Sequence, residues 1–277
     1  MLASVQGQLC VSTDHFVISG MTNVEAHRVL YRHFMSQSGR ADVFVKLDAD
    51  MVLRGTYALA LIAQKFSEDS ELDHAVFFVH DWISDSLIVG LHAFSDRVVW
   101  DEVGEDLFVD APPRYEGSKK LFGEIGAIAD HACNPTPFQC FRFGVHRMSK
   151  VVQRGRIILD IGQSEMQWRL LCSVWAAYQK DRDPRRLLAL IGAQWSARNY
   201  RINGPLAYRD DQVKLEFARV AGIDDSAQLE LALSSLWRSK TGRWWFIFSL
   251  TGARRAIARA LRLLVFGFRR VIKPFGR

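Results

Sequence analysis

The chain has no Cys-x-x-Cys pair; its cysteines stand alone at Cys10, Cys133, Cys140 and Cys172. It also lacks a charged-then-apolar secretory segment at its start, so a reducing, cytoplasmic setting is the default expectation. No apolar run reaches the roughly 18 to 20 residues that cross a bilayer. Internal repeats and low-complexity stretches are missing too. Acidic residues are absent from the last forty positions, where eleven of the 36 Lys and Arg residues lie. The formal net charge of +6 is therefore divided: residues 1–237 sum to −5 and the tail is strongly basic. That split argues against a nucleic-acid-binding core and for an anionic partner met by the tail alone. What is present is a 277-residue chain, 49% hydrophobic and 24% charged, able to bury one large domain with appendages.

The most informative stretch is Val43 to Leu53, Val-Phe-Val-Lys-Leu-Asp-Ala-Asp-Met-Val-Leu. Val43 to Leu47 is apolar and β-prone, the pattern of an inner strand covered on both faces. Asp48 and Asp50 follow, and on an extended backbone residues i and i+2 project to the same side. In open α/β sheets the ligand crevice lies beyond the carboxyl ends of the strands, where this pair would stand. One or two carboxylates plus phosphate oxygens are the usual grip of a hard divalent cation on a diphosphate. The same spacing also occurs on solvated turns, so two readings are open.

At Lys46-Leu47-Asp48-Ala49-Asp50-Met51 the chain resembles the Asp-x-Asp element of nucleotide-sugar glycosyltransferases of the GT-A fold, above all the family 2 enzymes of bacterial surface polysaccharide assembly. Ser4-Val5-Gln6-Gly7-Gln8 resembles the Ser-x-x-x-Gln that ends their first helix, and His15 to Gly20 looks like the strand that follows. The likeness runs in pieces over residues 3–150. It implies an α/β, Rossmann-like mixed sheet with Mg2+ or Mn2+ on Asp48 and Asp50 and a nucleotide-diphosphate sugar as donor. Lys46 and Lys150 are the implied contacts to the donor. A late His, His146, would complete the metal site. The family places a first strand and turn, which hold base and ribose, before that helix. Here either a preceding segment supplies them or other residues hold the base.

Elsewhere the pattern is read from the residues alone. Thr22 with Glu25 is a capping-box signature opening a helix over Asn23 to Met35. Tyr57 to Phe66 reads as helix and Ala75 to Val79 as strand. Ser86 to Phe94 and Asp96 to Trp100 read as a hairpin, with Leu107 to Val109 a further strand. Strand, helix, strand in this order is the grammar of a parallel α/β sheet. His146 and Lys150 share a face if a helix opens at Gly144. His131, Cys133, Cys140 and His146 together suggest zinc, but their spacing fits no common structural zinc pattern. Met166 to Tyr178, a segment opening at Pro184, and Asp211 to Val220 read as helices. Trp168, Trp175 and Trp195 fit either their core or an acceptor surface. These readings divide the chain into a catalytic domain over residues 1–150, a helical region over 151–237 and a tail over 238–277.

In the tail, Ile257, Leu261, Leu264, Val265 and Phe268 fall on one helical face and Arg255, Arg259, Arg262, Arg269 and Arg270 on the opposite one. That suits a helix lying on an anionic membrane surface, or one packed on a partner. The expectation is a peripheral enzyme of the inner membrane face moving a sugar to a glycan or lipid-linked acceptor. An inverting transfer needs a carboxylate base, for which Asp81, Asp110 and Glu124 are the candidates. Metal-dependent nucleotidyl transfer and a non-catalytic membrane partner are the alternatives.

Overall fold

The structure is a computed structural model that describes residues 1–21, 23–100, 113–152, 161–198, 211–222 and 226–233. Thr22, Asp110, the strand expected at Leu107 to Val109 and the whole tail lie outside them. The chain divides into two compact units, Met1–Pro135 and Thr136–Arg277, so the helix bearing His146 and Lys150 belongs to the second.

The first unit is α/β. Its elements are α1 (Leu2–Gln6), α2 (Asn23–Ser36), β1 (Val43–Lys46), β2 (Met51–Leu53), α3 (Ala58–Glu68), β3 (Leu72–Asp81), β4 (Ser86–Ser95), β5 (Val99–Trp100), β6 (Pro113–Arg114) and β7 (Ser118–His131). Five strands form one mixed sheet in the order β1-β4-β3-β7-β2. Among the described residues only β3 and β7 pair in parallel; the other pairings are antiparallel. It follows that β1, β3 and β7 run in the same direction. β3 and β7 end level with each other at Asp81 and His131, whereas β1 ends at Lys46 in line with His92 and Val76, about 16 Å short of Asp81 along β3.

Alternation along β3 sends its two sets of side chains to opposite faces. Ala75, Phe77 and Val79 form one buried cluster with Leu91, Ala93 and Ala129 of the neighbouring strands and with Ala58 and Ile62 of α3. On the other side Tyr31 and Phe34 of α2 cluster with Phe44, Phe94 and Trp100. Tyr31 stacks on Trp100 at 5.0 Å and Phe34 on Phe44 at 4.8 Å between ring centroids. Burying each of the larger side chains contributes about 1.5 to 3 kcal/mol.

Several expectations change. Val43 to Leu47 is not an inner strand: β1 is four residues long and lies at the edge of the sheet among the described residues, and the most deeply buried strand is β3. The expected hairpin between Ser86 to Phe94 and Asp96 to Trp100 does not form. β4 instead folds back on the equally long β3, while β5 pairs with β6 and buries Trp100. His15 to Gly20 is not a strand. It carries no regular structure, and Phe16 is exposed with its ring stacked on His33.

The second unit is helical: α4 (Pro137–Val152), α5 (Ile161–Asp181), α6 (Pro184–Arg198), α7 (Asp211–Ala221) and α8 (Ser226–Ala232). α4 opens at Pro137, not at Gly144. Thr136 and Gln139 form a reciprocal capping box, with Gln139 N donating to Thr136 Oγ1 (3.2 Å) and Thr136 N to Gln139 Oε1 (2.7 Å). At the start of α6, Asp183 accepts from the Arg185 backbone at 2.9 Å, with Pro184 at the first helical position as expected. Gly144 and Gly192 let α4 and α6 touch backbone to backbone. A Cβ on Gly144 would lie 1.7 Å from the Ala189 carbonyl oxygen, and one on Gly192 would lie 2.1 Å from that of Phe141. Trp168 is buried, whereas Trp175 and Trp195 are only partly so. No helix among the described residues is long and apolar enough to cross a membrane.

Candidate functional site

The link between β1 and β2 fixes where the Asp-x-Asp segment must lie. Leu47 to Asp50 joins a strand at one edge of the sheet to a strand at the other. A flat sheet of five strands would separate its edges by about 19 Å. Five extended residue steps reach at most about 18 Å. The link is shorter still, because it contains a turn closed by Met51 N donating to the Asp48 carbonyl at 3.0 Å. The sheet therefore curls, which brings the end of β1 within reach of the start of β2.

That turn also corrects the extended geometry expected for Asp48 and Asp50. Both are exposed, and the backbone between them bends, so they are not set by strand alternation. Asp50 is anchored at its backbone, where its carbonyl accepts from Ala132 N at 2.9 Å.

Two rows of residues run across β2, β7 and β3 next to the turn. Met51, His131 and Asp81 lie in register on β2, β7 and β3, and Val52, Asp130 and His80 form the row before it. His131 Nδ1 lies 2.7 Å from Asp81 Oδ1, and its Nε2 lies 3.4 Å from Asp50 Oδ2. The Asp81 side chain is fully buried, and its Oδ2 accepts from Ser84 N at 2.8 Å and from the Ser84 hydroxyl. Trp82 N donates to the His131 carbonyl at 3.1 Å, tying the two strand ends together. Burial alone would lower the His131 pKa; hydrogen bonds and charge from Asp50 and Asp81 outweigh it and carry it up to about 9.

In the second row His80 Nδ1 lies 3.4 Å from Asp130, and Arg54 Nε donates to Asp130 at 2.9 Å. The hydrogen bond from Arg54 holds the Asp130 carboxyl below the usual carboxylate range. His80 Nε2 also meets Asp85, 3.3 Å away.

Ser4 and Gln8 brace the chain just after β2. Leu53 N donates to Ser4 Oγ (3.2 Å), Gln8 Nε2 donates to the Gly55 carbonyl (2.9 Å), and Leu59 N donates to Gln8 Oε1 (3.0 Å). The Ser-x-x-x-Gln spacing thus joins the end of α1 to the turn between β2 and α3.

Of the residues expected at the site, Asp50 and Asp81 come together, bridged by His131. Lys46 ends β1 in line with His92 of β4 and Val76 of β3, roughly 16 Å short of Asp81 along β3. Glu124 is exposed where the β3–β7 register breaks, opposite Phe77 and Phe78, roughly 10 Å short of Asp81 along β3. His146 and Lys150 do lie one turn apart on α4. Burial, with Lys150, Arg147 and Arg142 close by, holds His146 neutral, a setting of like charge that works against a bound cation. The zinc quartet divides between the units: His131 and Cys133 precede Pro135, while Cys140 and His146 are on α4.

Sequence reasoning missed the pairing of His131 with Asp50 because it did not read β7 as a strand. Gly123 and Gly126 interrupt its alternation. A signal was nonetheless present: His80-Asp81 and Asp130-His131 are the same two residue types in opposite order, which pair with opposite charge when two strands align in parallel.

Among the described residues no three His, Cys, Asp or Glu side chains form a preset metal cage. A Mg2+ or Mn2+ held against a diphosphate asks for less, one or two carboxylates with phosphate and water completing the shell. Asp50 and Asp48 meet that requirement by type. The 3.4 Å between Asp50 Oδ2 and His131 Nε2 is near the about 3 Å that separates adjacent donors on a small octahedral cation. No family model, no curated protein and no solved structure matches this chain.

Proposed function

We propose that the chain is a metal-dependent glycosyltransferase of GT-A type, moving a sugar from a nucleotide-diphosphate donor to a glycan or lipid-linked acceptor. The observation that carries this reading is the meeting of Asp50, on the Asp48-Ala49-Asp50 turn, with His131 and Asp81 at the shared end of β3 and β7. The resemblance of Lys46 to Met51 and of Ser4 to Gln8 to family 2 enzymes supports it further.

Asp48 and Asp50 would hold Mg2+ or Mn2+, with His131 in place of His146 as the histidine donor, because His131 lies beside Asp50 in the same unit. His131 would release its Nε2 proton on binding, the cation taking that proton's place. A cation bound there supplies charge neutralisation to a departing diphosphate. Lys46, two residues before Asp48 in the chain, would add positive charge toward the diphosphate. Asp81, buried and taken up by His131 and Ser84, is poorly placed to reach an acceptor hydroxyl. For an inverting reaction the base falls to Asp110 or Glu124; a retaining one needs neither. The basic amphipathic tail would hold the enzyme at an anionic membrane surface, which cosedimentation with anionic vesicles at low and high salt tests.

Product analysis on the full-length chain, with Mn2+ or Mg2+ and a panel of nucleotide sugars, tests the reading. Nucleoside diphosphate is the expected product. Pyrophosphate would indicate nucleotidyl transfer instead, and absence of both metal and nucleotide binding would indicate a non-catalytic partner.

A further inference from the structure

We infer that Asp81 and Ser84 are positioning residues, which fix the His131 imidazole so that its Nε2 faces the Asp50 carboxylate. The purpose of this arrangement rests on the glycosyltransferase reading; its geometry does not. A carboxylate with no solvent exposure is costly unless donors surround it. Asp81 has the Ser84 amide and hydroxyl on Oδ2 and the His131 ring on Oδ1. Its charge is thus held in place by a turn residue three positions later and directed at one ring nitrogen.

With Nδ1 bound to Asp81, the ring of His131 has one orientation, and Nε2 is the atom left toward Asp50. Without that bond, the terminal torsion of a histidine is broad and roughly two-fold, and the ring could turn. The strand register reinforces the alignment, since Asp81 and His131 are direct partners and Trp82 N clamps the His131 carbonyl. The Ser84 hydroxyl also meets Ser86 Oγ at 2.8 Å, which limits its own rotation. A carboxylate behind a histidine sets the ring's tautomer and direction toward a metal, and losing such a partner typically lowers metal affinity 10- to 100-fold.

The test uses the full-length protein, its Asp81→Asn and Ser84→Ala variants and two readouts. The first is Mn2+ affinity by electron paramagnetic resonance without nucleotide. The second is the His131 Nδ1 proton and ring nitrogen resonances in metal-free protein. Asp81→Asn is expected to weaken Mn2+ binding by about 10- to 100-fold and remove the downfield Nδ1 proton signal. Ser84→Ala, the milder change should Asp81→Asn fail to fold, is expected to weaken binding several-fold and shift that signal. Unchanged Mn2+ affinity and unchanged ring signals in either folded variant would overturn the inference. If wild type binds no Mn2+, the cation-clamp reading fails and the ring signals alone judge the positioning. If Mn2+ binds but no nucleoside diphosphate is released, the transferase reading fails and the positioning inference is judged as before.

Discussion

Asp81 stands directly opposite His131 at the ends of two parallel strands, and the two side chains meet at 2.7 Å with Asp81 fully buried. His131 thereby sits between two carboxylates, the second being that of Asp50 on the turn between β1 and β2.

The first prediction concerns His131 in metal-free protein. Its imidazole is expected to titrate near 9 in place of 6.5, read by NMR of the ring protons. Because the folded value is raised, the stability this group contributes is fully present below pH 6.5 and is lost as pH rises through about 9. Asp81→Asn should bring the ring back toward 6.5 and flatten stability over that window. An unshifted wild-type His131 would contradict the ion pairing.

His74 is expected to behave in the opposite way. It is buried, stacked on Phe94 at 4.4 Å and hydrogen-bonded to His92 at 2.9 Å. Burial, with His92 and Lys119 nearby, lowers its pKa to about 3. Its contribution is present above pH 6.5 and is lost as pH falls toward 3, since the unfolded chain takes up the proton first. The thermal midpoint of wild type should fall with acid in that range, and His74→Phe should reduce the slope. Equal slopes would remove His74 as the cause.

The helical unit offers a contrast between two glycines. Gly144→Ala places a methyl group 1.7 Å from the Ala189 carbonyl oxygen, so α4 and α6 must separate, at a cost of about 1 to 3 kcal/mol or more. Gly222→Ala meets no atom within 4 Å and should be neutral or slightly stabilising, by up to about 1 kcal/mol. Denaturant unfolding of both variants checks the difference, and equal stability would contradict the close helix crossing.

For the Ser-x-x-x-Gln element, Gln8→Ala removes the bonds to Gly55 and Leu59 that tie α1 to the turn after β2. The expected loss is about 1 to 2 kcal/mol. Faster hydrogen exchange at the Leu59 amide would localise it, whereas unchanged exchange there would show that the brace contributes nothing.

How much of this was readable beforehand depended on whether the signal was local. The starts of α6 at Pro184 and α7 at Asp211 follow from residues within a turn of each other, and so does the body of α2. The capping box at Thr136 and Gln139 is equally local, and it, not Gly144, sets where α4 opens. β3 was read only as Ala75 to Val79, because Asp73, His74, His80 and Asp81 look like a strand's solvated ends. Asp73 and Asp81 are enclosed because partners outside the strand satisfy them: Ser95, Arg97 and Gly117 for Asp73, and Ser84 and His131 for Asp81. Of these only Ser84 is near in sequence, and His80 stays partly exposed. Asp48 and Asp50 were legible as a pair by type. Their neighbour His131 was not, since it depends on a strand broken by two glycines and on a sheet curled enough for four residues to bridge its edges.

The account rests most directly on metal-dependent release of nucleoside diphosphate from a nucleotide sugar by the full-length chain, compared between wild type and Asp50→Ala. It predicts release by wild type that requires Mn2+ or Mg2+ and falls by roughly 100-fold or more in the variant. Equal release by the two proteins, or release that ignores the metal, would contradict it.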